Sequence, residues 1–268
     1  MTSTNAGPAG WKATAAIVIS FVALMVSVFA ALPTVLPFFG YEPFGAKRTA
    51  QHEAKSYFKA WTAGDMKSLQ AMAGRASPKS PAYNIAVAQY QAWLAWSRDT
   101  RMQPPKAKVE YTENYTISVC MPDDPCDVYG DFTFDATSKL LTDYTVNGVP
   151  IRGNVMGTQD WAQVGQLWFR VVGGWISVHN GLQVTVEVVN YAHSSITIIK
   201  DGSVYYDYDD VYHPADSLVG RPTLRPGQRG LIWLNFRNQV LDGTLSLCYL
   251  SAAPNSLSAY ESLDLRAD

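Results

Sequence analysis

LQVTVEVV, residues 182–189, is the stretch on which the fold turns. Leu182, Val184, Val186 and Val188 alternate strictly with polar neighbours, and a period of two puts one apolar row on a single face of a strand. Outward from it, LWFRVV (167–172), WISV (175–178), ITII (196–199), VYYDY (204–208), GLIWLNF (230–236) and LSLCYL (245–250) are further short β segments separated by Gly, Asn, Asp and Pro. About seven such segments in roughly a hundred residues predict a sandwich of two sheets over 160–268.

Upstream the period is different. Ala54, Tyr57, Phe58 and Trp61 fall at helical spacing with Lys55 and Lys59 turned away. Asp65 is placed to cap a shorter helix carrying Met66, Leu69 and Met72, and a third helix after Pro81 puts Tyr83, Ala86, Val87, Tyr90, Trp93, Leu94 and Ser97 on one side. The period then becomes two: Val109 to Val119, Val128 to Phe134, and Leu140 to Val146 running into Asn147-Gly148, a tight-turn signal. Three helices are therefore predicted ahead of an antiparallel meander.

In YFKAWTAGDMKSLQAMAG (57–74), Tyr57, Ala60, Trp61, Gly64 and Asp65 form an aromatic-x2-Ala-Trp-x2-Gly-Asp element. Together with the strands ending in LTDYTVNGVPIRG (141–153), it resembles the α+β cone of the nuclear-transport-factor-like superfamily, in particular its anchored extracytoplasmic members from actinobacteria. The order VTVEVVN (184–190), a long loop, then LRPGQRGLIWLNF (224–236) resembles secreted immunoglobulin-like domains of unassigned function. The first resemblance implies a three-helix, curved-sheet cone over 49–157, and the second an immunoglobulin-like sandwich over 160–268.

Composition narrows the function classes. Of the 268 residues 16% are charged, and the formal net charge is -2. With a pI of about 6.1 the chain has no electrostatic footprint for nucleic acid. No charged side chain lies between Ala13 and Tyr41, and AIVISFVALMVSVFAAL (16–32) is apolar enough for a hydrocarbon core that takes about 20 helical residues. A retained transmembrane anchor over 13–37 is expected in preference to a cleaved signal peptide, with 1–12 cytoplasmic and 38–48 a linker. Lys12 on one side and Lys47 and Arg48 on the other leave the orientation undecided by charge.

The cysteines decide it. In VCMPDDPCDV (119–128), Cys120 and Cys126 lack the two-residue spacing of a thioredoxin-type redox pair, and only Cys248 and scattered histidines would complete a zinc site. A disulfide across a turn is expected in preference to two reduced thiols in a cytosolic loop, and persistent disulfides belong to oxidising compartments. The bulk of the chain is therefore expected to be extracytoplasmic on a single-pass cell-membrane protein.

Two candidate sites follow. YYDYDDVYHPAD (205–216) offers Tyr206, Asp207, Tyr208, Asp209, Asp210 and Tyr212 as a partner-binding loop, because tyrosine presents large contact area at low entropic cost. Its carboxylates lack the spacing and glycine of an EF-hand, so a solvated acidic turn is expected rather than a metal site. Tyr57, Trp61, Trp93 and Tyr115 are candidates for an apolar pocket at the mouth of the cone, although helical spacing already explains such a stripe as core, which is the preferred reading. The sequence holds no Gly-rich phosphate loop, nucleophile elbow, H-E-x-x-H or dinucleotide fingerprint. The expectation is a non-enzymatic binding or assembly subunit of the cell envelope, with a protein partner and no cofactor. The rivals are a scaffold of a conjugation or secretion machine, and a small-ligand carrier or enzyme using the cone pocket.

Overall fold

The computed structural model describes residues 50–112, 115–122, 125–164, 166–252 and 259–266. Helix α1 (Ala50–Trp61) buries Ala54, Tyr57 and Phe58 and leaves Lys55 and Lys59 exposed, as its spacing dictates. Asp65 caps α2 (Met66–Met72) by accepting from the Ser68 amide at 2.8 Å. Ser80 caps α3 (Pro81–Thr100) through the Tyr83 amide, and Pro81 follows where its missing N–H costs nothing.

A five-stranded antiparallel meander comes next: β1 (Lys108–Tyr111), β2 (Ile117–Cys120), β3 (Asp127–Phe134), β4 (Leu141–Val146) and β5 (Val149–Pro150), in that spatial order. The alternating run 109–119 is a hairpin rather than one strand, with Lys108 opposite Cys120. In β3 the register shifts between Gly130 and Thr133 and Asp131 takes φ 49°, so the buried residue ahead of the bulge is Tyr129 while Val128 is exposed. Asn147 and Gly148, at φ 51° and 82°, make the two-residue turn between β4 and β5.

The remaining strands build a β-sandwich. One sheet runs in the order β12 (Ser217–Gly220), β14 (Arg229–Phe236), β9 (Gly181–Asn190), β8 (Leu167–Ser177) and β6 (Val155–Met156), with β7 (Ala162–Val164) also on β8. The other runs β11 (Tyr212–Pro214), β10 (Ile196–Tyr206), β15 (Asp242–Ser251) and β16 (Ala259–Arg266), with β13 (Thr223–Leu224) also on β10. Leu182, Val184, Val186 and Val188 face Ile196, Ile198, Leu245 and Leu247 in one aliphatic core. Each fully buried side chain of this kind stabilises by about 1.5–3 kcal/mol.

The α+β expectation is corrected by these elements. Sixteen strands against three α-helices of 12, 7 and 20 residues, among the described residues, make the protein mostly β. None of these helices is long and apolar enough to cross a membrane, and the run 13–37 expected to do so lies outside the described residues, as do 1–12 and 38–48. Nor do three helices form a cone of their own over the meander. The longest, α3, buries Ala88, Ala92 and Ala95 as well as Ile85, and lays Ala92 and Ala95 on Val172, Leu231 and Trp233 of the sandwich. Its approach depends on Gly173, where an added Cβ would lie 2.6 Å from the Ala88 Cα. Alanines carry little weight in an apolar-stripe count, which is why this second face was not anticipated. Thr49–Asp268 is accordingly one compact unit.

Candidate functional site

An open cleft of about 710 Å³ lies where the meander, α3 and one end of the sandwich meet. Its floor is aromatic. Trp61, Tyr129 and Tyr144 line it and pack at tilted and edge-on angles with the buried Phe58, the Phe58 and Tyr129 centroids 4.8 Å apart and Trp61 and Tyr129 5.4 Å apart. Beneath them Tyr57 is fully buried and its hydroxyl donates to the Ala82 carbonyl at 2.7 Å. Burial pushes the hydroxyls of Tyr57, Tyr129 and Tyr144 well above the ordinary phenol range, which keeps all three neutral.

The walls come from segments far apart in sequence. Helix α3 supplies Ile85, Gln89 and Trp93; the β2–β3 hairpin supplies Met121, Pro122, Pro125 and Asp127; the β8–β9 hairpin supplies Trp175 to Gly181 and Gln183; and the β14–β15 loop supplies Asn238, Gln239 and Val240. The Cys120–Cys126 disulfide closes the β2–β3 hairpin, with the two Cα atoms 4.1 Å apart. The free thiol of Cys248 is buried. Gly181, at φ 73°, seats the β8–β9 turn on the β14–β15 loop: an added Cβ would meet the Phe236 carbonyl oxygen at 2.5 Å.

One polar clasp joins the two hairpins across the rim. His179 Nε2 lies 3.1 Å from Asp127 Oδ1, the same oxygen that accepts from Asn147 Nδ2 at 2.8 Å. Among the described residues that line the cleft, Asp127 and His179 are the charged or titratable side chains, tyrosine hydroxyls aside. At the inner wall, the Gln89 side-chain oxygen is buried without a hydrogen-bond partner. Thr185 Oγ1, Trp233 Nε1 and Asn235 Oδ1 share that condition. Strand register sets Trp233 opposite Thr185 and Asn235 opposite the cleft residue Gln183.

Of the four residues expected at a pocket mouth, Trp61 and Trp93 line this cleft. Tyr57 lies under its floor. Tyr115 is 70% exposed in the β1–β2 turn, at φ 59°, and borders a separate cleft of about 420 Å³ with Tyr111 and Phe132. Tyr129, Tyr144, Gln89 and Trp175 were missed. The bulge in β3 displaced Tyr129 from the expected row, and nothing local in the sequence brings Trp175 to α3.

The acidic tyrosine loop connects β10 to β11. Tyr208 is 75% and Tyr212 53% exposed, while Tyr206 packs edge-on against Tyr212. Asp207 Oδ1 accepts from the Asp209 and Val211 amides, both at 3.0 Å, and its Oδ2 lies 2.9 Å from His213 Nε2. That hydrogen bond, with those from the two amides, holds the Asp207 carboxyl below the usual carboxylate range. Asp207 is thus engaged in closing the turn, and Asp209 and Asp210 point to solvent. No three His, Cys, Asp or Glu side chains converge on a possible metal position among the described residues. The other ring nitrogen of His213 accepts from Gln239 Nε2 at 3.1 Å, so the loop is tied to the cleft rim through Gln239.

No protein-family model matches the sequence, and no curated protein does. Among solved structures, the chain is similar to a functionally unknown protein from Listeria monocytogenes EGD-e, at 8% identity and a TM-score of 0.30 over 44% of this chain and 90% of that one. It is also similar to a DUF4426 family protein from Pseudomonas aeruginosa PAO1, at 11% identity and a TM-score of 0.23 over 41% and 99% of the respective chains. Likeness at this level carries no argument about fold or activity.

Proposed function

We propose that this protein is a non-enzymatic binding subunit of the cell envelope, working in an oxidising, extracytoplasmic compartment. The observation that supports it best is the open aromatic cleft. Its walls are held by a disulfide-closed hairpin, a helix packed on two sheets, and a hairpin locked by Gly181, so the site is pre-formed and little ordering cost is left for a ligand to meet. The tyrosine loop, coupled to the rim through Gln239 and His213, provides a second surface for a protein partner. The oxidising compartment rests on the Cys120–Cys126 bridge.

The test is a thermal-shift titration of the full chain with fractionated envelope material, separated into protein, glycan and lipid pools. The reading expects at least one pool to raise the melting temperature without being chemically altered. Absence of any shift, or turnover of a component on mixing, overturns it.

A further inference from the structure

We propose that the cleft binds a neutral saccharide chain; this rests on the cleft being the binding site, and adds the chemical class of its ligand. Three features of the site select that class together.

The first is the stacking surface. Trp61, Trp93 and Trp175 reach the cleft from α1, α3 and β8, all three partly accessible. An indole face is apolar and carries negative quadrupole density, which suits the positively polarised C–H face of a pyranose ring. Three indoles on separate elements suit consecutive rings of a chain rather than one small molecule.

The second is the kind of polar group. Gln89, Asn154, Gln183, Asn238 and Gln239 all line the cleft, and a primary amide presents both a donor and an acceptor. A sugar hydroxyl does the same, so the two match in either direction. Gln239 Nε2 is engaged by His213 Nδ1 and the Arg237 carbonyl, which leaves its oxygen as the group free to accept, while Asn154 Nδ2 gives one of its two N–H groups to the Pro150 carbonyl and keeps the other. The buried Gln89 oxygen has no partner at all. A buried acceptor without a partner costs on the order of 1–3 kcal/mol, which a ligand hydroxyl recovers once the Gln89 side chain, whose oxygen is closed to solvent, turns to meet it. An acyl chain brings no donor, and a proline-rich segment lacks N–H at its prolines.

The third is charge. Among the described residues that line the cleft there is no lysine or arginine, and the one carboxylate, Asp127, is hydrogen-bonded to His179 and Asn147. A phosphate-bearing or strongly acidic polymer would enter without a counter-charge.

The experiment is a tryptophan-fluorescence and calorimetric titration of the full chain with four probes: a β-1,4-linked N-acetylglucosamine oligomer, an α-1,4-glucan hexamer, a polyproline decapeptide and phosphatidylglycerol vesicles. A neutral oligosaccharide should shift the tryptophan emission and bind saturably. Gln89→Met, which keeps the side-chain volume and removes the acceptor, should weaken that binding about tenfold while the melting temperature stays within a few degrees. Wild-type affinity in Gln89→Met overturns the assignment. Binding of the peptide or the vesicles with no response to either sugar overturns the saccharide class but leaves the cleft as a binding site. No response to any of the four overturns both.

Discussion

The sandwich and the meander solve the same burial problem in opposite ways. The sandwich closes two aliphatic sheet faces on each other, and Leu182, Val184, Val186, Val188, Leu245 and Leu247 reach complete exclusion from water. The meander closes against helices with aromatic rings, Tyr57, Phe58, Tyr129 and Tyr144, and remains open on the side that forms the cleft. Aliphatic side chains interdigitate and leave no gap. Large rings in edge-on contact tolerate an open boundary, because the three tyrosines each present an apolar body and a hydroxyl that stays neutral. The lesson is that the sandwich carries the stability and the aromatic half carries the opening, with α3 belonging to both.

That contrast can be broken at several points. The largest effect is expected in the closed half. Phe169→Ala, at a residue with no exposure, should cost about 4 kcal/mol in chemical denaturation, because a close-packed core relaxes only partly around a lost ring. Next is the seam. Gly173→Ala places a Cβ against the α3 backbone and should cost about 3 kcal/mol, with a change in the cleft tryptophan emission that Phe169→Ala does not produce. If Gly173→Ala is silent, α3 does not couple the two halves.

The disulfide separates them further. Replacing Cys120 and Cys126 by serine should cost about 2 kcal/mol in the chain-entropy model. Hydrogen exchange should accelerate in β2 and β3 and stay unchanged in β9, where the sandwich core is independent of the bridge. Uniform acceleration across both halves would show that the hairpin is not a local staple.

The smallest effect concerns the tyrosine loop. Asp207 has a folded value held below the ordinary carboxylate range, chiefly by His213, so its contribution is present above that range and is lost as the pH falls through the depressed value. Acidification should therefore loosen 206–213 while the sandwich remains folded. Loop amide exchange followed against pH measures this, and Asp207→Asn should abolish the acid-dependent step.

Local chemistry made much of this legible. The alternation in 182–189 marks a buried strand face, Asp65 stands where a cap is needed, Asn147-Gly148 demands its turn, and the spacing of Cys120 and Cys126 leaves a bridge as the remaining choice. These features depend on residues a few positions apart, where backbone geometry and side-chain period act directly. The tertiary structure alone decided that α3 serves two sheets, that a bulge at Asp131 turns Tyr129 inward, that Tyr115 lies away from the cleft, and that Trp175 and Gln183 line one cleft with Gln89 and Trp93. Those outcomes depend on which faces pack together over separations of about a hundred residues, and neither alanine nor glycine announces in a sequence pattern that another element will lie against it.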